Sequence, residues 1–418
     1  MKVLHVSHSD ISGGAARAAY RLHRAQLAAD IDSRMLVRSK KSDDWTVQGP
    51  VSPIEKLVNI VRGAIGQQLM RLQRSQNVNF HSGDLLPSNL AKNINASDAD
   101  VVHLHWVAGE TMSIEDIGRI KKPIVWTMHD MWPFCGAEHV TDYDMNVRWR
   151  AGYTKANRGH GERGLDLDRY VWQRKLNAWQ NPMHIVAPSH WLADCAKGSK
   201  LFQDKSITVI PNTLNIDLYK PLKQDFCRQA LNLPDDKKII LFGAMGGGLD
   251  PNKGYDLLVA ALGHLSLSLK ADDVLCVVFG QSEPQQPSEL PFKTQWLGHI
   301  HDDATLVLLY NAATVMVVPS KQEAFGQTAS EAQACGIPVV AFNCTGLTDV
   351  VEHQQTGYLA KAYDSEDMAA GLQWLLANPA ECQRLGNNAR LRAEELWAIN
   401  TGIEQYLAIY KAITNAGL

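Results

Sequence analysis

Short runs of β-branched and other apolar residues alternate along this chain with stretches whose apolar positions recur at helical spacing, and glycine-rich turns separate them. That alternation predicts parallel sheets covered by helices on both faces. In the first half the strands read as VLHVSH, SRMLV, DVVHLHW, PIVWTMH, HIVAP and ITVIP. In the second half they read as KIILFGA, VLCVVFG, TVMVVPS, PVVAF and a short GYLA. The segment Pro211–Pro221 carries two prolines and two asparagines and reads as a linker. The fold class expected is therefore α/β, with two Rossmann-like domains at roughly 1–215 and 216–395 and a helical segment to the end. No short repeat is visible, which excludes a solenoid. The longest uncharged apolar stretch, Ala304–Ser320, is interrupted by Tyr310, Asn311 and Thr314. It reads as a buried helix end and a buried strand rather than a membrane span.

Bulk numbers narrow the class. At 418 residues the chain is too long for one ordinary core. A net charge of −3 argues against a nucleic-acid binder. The seven cysteines include no C-x-x-C pair, so neither a zinc site nor a disulfide framework is indicated, and a cytoplasmic protein is expected. The opening MKVLHVSH lacks a long apolar core and reads as a strand, not a leader. Two insertions stand out: Ser52–Val78, basic with apolar residues at helical spacing, and Arg148–Arg163, basic without periodicity. Both are candidates for peripheral contact with an anionic membrane on its cytoplasmic face.

Three loops carry candidate chemistry. In the first, Ser12, Gly13 and Gly14 follow a strand and open a helix, where backbone N–H groups favour an anion. It is not a full dinucleotide fingerprint, and a ligand-free tight turn explains it equally well. In the second, Gly246–Gly248 precede Lys253-Gly254. This is no Walker loop, and a lone solvated lysine would be the simpler reading; its place at a strand's carboxyl end favours a phosphate contact. The third, VVPSKQEAFGQTASEAQACGIPVVAF, places Glu323 before a helix and Glu331 eight residues later. That spacing sets the carboxylates about two turns apart, on the order of 10 Å. The separation suits hydroxyl groups at the two ends of a nucleotide sugar, with the helix N-terminus facing the diphosphate between them. His103 and His105 alternate on one strand face. Together with His129-Asp130 they invite a metal, but no metal-binding frame supports one, and His103 reads better as a hydrogen-bonded core residue. His105, Trp106 and His129 lie at strand ends, where ligands collect; Trp132, Phe134 and Trp191 read as packing residues.

The third loop resembles the E-x7-E motif of family-4 glycosyltransferases, matching at Glu323, Phe325, Gly326, Glu331, Ala332, Ala334, Gly336, Pro338 and Val339, with Ala324 where proline or glycine is commoner. The resemblance extends through VAPSHWLAD, VIPNTLNID, the lysine loop and TGYLA. Thr127–Phe134 resembles the T-x-H-D-x-W-P-F segment of the polysaccharide-assembly branch. It implies a GT-B fold with the site in a central cleft and a C-terminal helix, 396–418, crossing back to the first domain. It implies that Glu323 with the Phe325 and Gly326 amides holds donor-sugar hydroxyls and Glu331 the ribose. Lys253 and the Gly13–Gly14 turn would hold the diphosphate. His129 would approach the reaction centre. Apart from the resemblance, the strand-end position of His105 and Trp106 points to acceptor contact. One departure is Ala244, where the family often has an arginine.

The expected activity is retaining transfer of a hexose from a UDP- or GDP-linked donor to a hydroxyl of a glycan or lipid-diphosphate acceptor in polysaccharide biosynthesis. Neither a metal nor another cofactor is expected. A sugar-nucleotide epimerase or hydrolase, and a non-catalytic nucleotide-sugar binder, are the alternatives.

Overall fold

The computed structural model describes residues 1–243, 250–283 and 290–415. Ala244 and Gly246–Gly248 lie outside the described residues. The chain divides into two compact units, Met1–Thr213 with Asn400–Leu418, and Leu214–Ile399.

The first unit is built on a seven-stranded sheet: β1 (Lys2–Ser9), β2 (Asp32–Ser39), β3 (Val47–Gln48), β4 (Val101–Leu104), β5 (Ile124–Thr127), β6 (His184–Ala187) and β7 (Ser206–Val209). Its order is β3-β2-β1-β4-β5-β6-β7, and every pairing is parallel. All four residues of β4 and of β5 are buried, as a sheet covered on both faces requires. Helix α1 (Gly14–Ala28) covers one face through Ala18, Ala19, Leu22 and Ala25. Helix α2 (Pro53–Met70) occupies the first basic insertion, opened by a Ser52–Glu55 capping box. It buries only Gly66 and Met70 and leaves Ile54, Leu57, Val58, Ile60, Val61 and Ile65 exposed.

The second unit has a six-stranded parallel sheet: β8 (Lys238–Gly243), β9 (Val274–Phe279), β10 (Lys293–Trp296), β11 (Val315–Val318), β12 (Val339–Phe342) and β13 (Gly357–Ala360), ordered β10-β9-β8-β11-β12-β13. One apolar cluster lies on each face. The uncharged stretch at 304–320 resolves into a helix, Asp303–Ala312, and β11. Helix α3 (Gln327–Ala334) follows β11, and Gly336 restarts the chain toward β12. The last helix, α4 (Ile399–Asn415), buries Tyr406, Ile409 and Tyr410 in one cluster with Val3, Leu22, Val101 and Val125.

Two strands of these sheets were not expected, nor was the separate antiparallel pair of Gln73–Arg74 with Arg163–Gly164. β3 has only two residues. β10 reads KTQW, an edge strand with no fully buried residue, so it shows no apolar run.

Candidate functional site

In the second unit, the lysine loop and the glutamate loop are stitched together. Asn252 Nδ2 donates to the Gln322 carbonyl at 2.7 Å, and the Lys321 amide donates to the Asn252 carbonyl at 2.8 Å. Gly254 sits at φ +65°, and a Cβ there would lie 2.0 Å from the Pro319 carbonyl oxygen, so only glycine fits. This close approach delivers Lys253 to Glu323: Nζ lies 2.7 Å from Oε1. Ser320 Oγ donates to the same carboxylate oxygen at 2.8 Å. Thr345 Oγ1 accepts from the Glu323 amide, and the Glu323 carbonyl accepts from the Gly346 amide. Both charged side chains stay partly accessible, at 25% for Lys253 and 19% for Glu323. Burial works against the Lys253 charge, but Glu323 outweighs it and holds the ammonium above its ordinary range.

Phe325 is buried and meets the Trp397 ring edge-on at 6.1 Å. Gly326 caps α3 at φ 99°, a left-handed conformation, and the first turn of α3 carries no acidic side chain. Glu331 lies on that helix, buried, with Oε2 accepting a hydrogen bond from the Tyr310 hydroxyl at 2.7 Å. The glutamates therefore differ: Glu323 is accessible and ion-paired, whereas Glu331 is buried and braced by a phenol.

In the first unit, Gly13 takes φ 92° and caps α1, whose helical residues begin at Gly14; the cap carries no side-chain bond. His105 is buried, with both ring nitrogens engaged: Nε2 faces His5 Nδ1 at 2.9 Å and Nδ1 faces His129 Nε2 at 3.2 Å. It offers no free nitrogen to a ligand. His129 is partly exposed, and among the described residues its Nδ1 has no hydrogen-bond partner. Trp106 donates its Nε1–H to Asp130 Oδ2 at 2.6 Å, and His139 Nδ1 shares that oxygen at 2.6 Å. Burial pushes the Asp130 carboxyl up, but His139 and Trp106 more than offset this and leave it below its usual range. His103 is fully buried between the Tyr410 hydroxyl at 2.6 Å and Thr127 Oγ1 at 2.8 Å, the core role read for it. His5, His103 and His105 come within metal-ligand reach of one another, yet every ring nitrogen of the three already has a hydrogen-bond partner.

Trp132 and Phe134 are buried as packing residues. Their turn is held by Lys175, a buried lysine whose Nζ donates to the carbonyls of Trp132, Cys135 and Gly136. Burial pulls its pKa down to about 7. In the basic insertion at 148–163 two arginines are held within the fold, Arg148 by Asp166 and Arg158 by the carbonyls of residues 163–165, and Trp149 is buried, while Lys155, His160 and Arg163 are exposed.

Reasoning from sequence did not find Lys175, Tyr310, His5, Gln26 or Tyr410. Only His5 carried a signal. Its strand pairs with β4 in the register His5↔His103, and both strands read H-x-x-H or H-x-H near the sheet centre.

Two Rossmann-like units, one carrying a lysine loop against a Glu-x7-Glu helix, define a GT-B glycosyltransferase. Residues 12–218 match the family described as Glycosyltransferase Family 4, and residues 223–392 match Glycosyl transferases group 1. The chain is 30% identical over 335 residues to the D-inositol 3-phosphate glycosyltransferase of Saccharomonospora viridis, covering 75% of this chain and 70% of that one. The corresponding Nocardiopsis dassonvillei protein is 29% identical over 75% of this chain and 71% of its own. This chain belongs to the family-4 glycosyltransferases. Among solved structures, sucrose-phosphate synthase from Thermosynechococcus elongatus superposes with TM-score 0.70 at 20% identity, all of both chains being covered. Anabaena HepE in complex with UDP-glucose superposes with TM-score 0.65 at 17% identity, over 99% of this chain and 100% of that one.

Proposed function

We propose that this glycosyltransferase moves a hexose, with retention, from a nucleoside diphosphate sugar to a hydroxyl of a glycan or lipid-linked acceptor, and that it needs no metal. The observation that carries the reading is the accessible Lys253–Glu323 pair at the mouth of α3, with Glu331 held on the same helix. Glu323, with the Phe325 and Gly326 amides, takes the sugar hydroxyls. The open N-terminus of α3 and Lys253 take the diphosphate, and Glu331 takes the ribose. Gly13 and Gly14 supply further amides to the phosphates. Lys253 then stabilises charge as the sugar–phosphate bond breaks, which is where a preorganised cation lowers the barrier.

No carboxylate is assigned as a nucleophile. The departing phosphate accepts the proton of the attacking hydroxyl on the same face of the sugar, and retention follows. His129 meets the substrate through its free Nδ1, Trp106 lines the acceptor side, and His105 acts from behind His129. The UDP-glucose complex of HepE, a neighbour in fold, makes UDP-sugars the first donors to try, with GDP-sugars second.

Acceptor delivery by a lipid surface is supported by the exposed apolar residues of α2, among them Ile54, Leu57, Val58, Val61 and Ile65. No helix among the described residues is long and apolar enough to cross a membrane. A cytoplasmic, peripherally bound enzyme of polysaccharide biosynthesis fits this reading. Thermal-shift titration with UDP-, GDP- and ADP-sugars, with and without chelator, tests the donor assignment. A shift from one nucleotide sugar that persists in chelator is expected; no shift from any of them counts against it. Co-sedimentation with vesicles containing about one-third anionic lipid tests the surface. Binding that Ile60→Glu abolishes is expected, and no binding by the unaltered protein rejects it.

A further inference from the structure

His129 and Tyr406 line one small pocket of the first unit, together with Thr127, Asn212 and Thr213. They are also the two ends of a single chain of hydrogen bonds through the core. The Tyr406 hydroxyl meets Thr127 Oγ1 at 3.0 Å, and Thr127 meets His103 Nε2 at 2.8 Å. His103 Nδ1 meets the Tyr410 hydroxyl at 2.6 Å, and Gln26 Nε2 donates to that hydroxyl oxygen at 3.0 Å. Gln26 Oε1 then faces His5 Nε2 at 2.9 Å; His5 Nδ1 faces His105 Nε2, and His105 Nδ1 faces His129 Nε2. All members except His129 are buried.

A neutral imidazole carries one N–H and one lone pair, so each ring passes on the direction it receives. Burial keeps the rings neutral, pulling His5 down to about 3 and His129 to about 4, with His103 and His105 well below the ordinary range. The direction of the bonds is then one choice shared by the chain. Gln26 couples the two arms, because its amide nitrogen only donates and its oxygen only accepts, and in the structure the oxygen is turned to His5 and the nitrogen to Tyr410. With the oxygen facing His5, the proton sits on His5 Nε2. His105 is in turn protonated at Nε2, and so is His129, which leaves His129 Nδ1 a bare lone pair. Along the other arm, Tyr410 donates to His103, His103 Nε2–H to Thr127, and Thr127 to Tyr406, so the Tyr406 hydroxyl hydrogen is left free.

We propose that Gln26 and Tyr410 are positioning residues that fix the tautomer of His129, so that the pocket offers an acceptor at His129 and a donor at Tyr406 and takes a sugar-type hydroxyl in preference to an anion. A hydroxyl both donates and accepts and satisfies the two ends at once, whereas an anion meets a lone pair. The link to catalysis rests on the proposed approach of His129 to the substrate, but the tautomer itself does not.

Long-range ¹H–¹⁵N correlation on the full chain labelled at histidine reads protonation at each ring nitrogen, with His129 assigned through His129→Asn. In the unaltered protein His129 is expected to be Nε2-protonated by roughly tenfold over the other tautomer, the discrimination one buried hydrogen bond supplies. In Gln26→Leu and in Tyr410→Phe the ratio should fall to within a few-fold of unity. Tyr410→Phe removes one oxygen and keeps the packing, so it remains informative if Gln26→Leu fails to fold. An unaltered ratio in folded variants, or an Nδ1-protonated His129 in the parent, overturns the proposal. Loss of transfer in these variants with the tautomer unmoved would reject the relay and leave the transferase reading standing. Tautomer shifts in a chain that transfers no sugar would do the reverse.

Discussion

Lys253 and Glu323 neutralise one another at 2.7 Å, so removing either leaves a charge whose partner is gone but which still reaches water. A stability cost of about 1 kcal/mol is all that a part-exposed pair carries. The effect on transfer should be far larger. Lys253→Ala and Glu323→Ala are each expected to lower kcat at least ~100-fold, the loss typical of a preorganised charge aimed at a transition state, while the melting temperature stays within a few degrees. Steady-state transfer and a thermal melt on the same preparations check both halves. Glu331 is held differently, by the Tyr310 hydroxyl. Tyr310→Phe removes that donor, and donor KM should rise about tenfold with kcat nearly unaltered, since a ribose contact is uniform binding. The glutamates were legible from the motif, Glu323 as a loop residue ahead of a helix and Glu331 as a residue on it. Tyr310 was not: it lies 21 positions away on another helix, and nothing local marks a tyrosine whose partner is tertiary.

The elements matter because they hold these side chains still. Gly254 is the joint between the two loops, with its missing Cβ against the Pro319 carbonyl and a left-handed φ. Gly254→Ala should cost at least ~2 kcal/mol and displace the lysine loop, so both melting temperature and kcat fall, unlike the outcome for Lys253→Ala. Lys175→Met tests the brace behind the His129 turn. Three carbonyls lose their shared donor, and a loss of about 3 kcal/mol is expected in chemical denaturation. At this scale most of the fold could be read in advance. Strands such as VLCVVF and VMVV are continuous apolar runs because parallel sheets bury both faces. β10 escaped because an edge strand reading KTQW has no such run. The basic stretch at 148–163 was only partly legible: Asp166 holds Arg148 and backbone carbonyls hold Arg158, contacts that no local pattern marks.

For the whole molecule, the buried histidines tie stability to pH. His5 and His129 titrate near 3 and 4 in the fold against 6.5 in the unfolded chain, and His103 and His105 are also displaced downward. Between those limits the unfolded chain binds more protons at these rings, so their contribution to stability is complete above pH 6.5 and is lost as pH falls from there toward 4. Each histidine contributes about 1.4 kcal/mol per pH unit once its unfolded form is protonated. Melting temperature should therefore drop steeply between pH 6.5 and 5, and a flat profile there would show the rings to be charged in the fold. The histidine array was the least legible feature, because its members come from five separate stretches of chain, β1, α1, β4, the turn after β5 and α4.

The most direct test of the account is sugar transfer from the nucleotide donor selected by thermal shift, run in excess chelator with the unaltered chain and Glu323→Ala side by side. Undiminished transfer by the first and a loss of at least ~100-fold by the folded second are predicted. Equal turnover by both, or transfer that chelator abolishes, would contradict a metal-free site centred on Glu323.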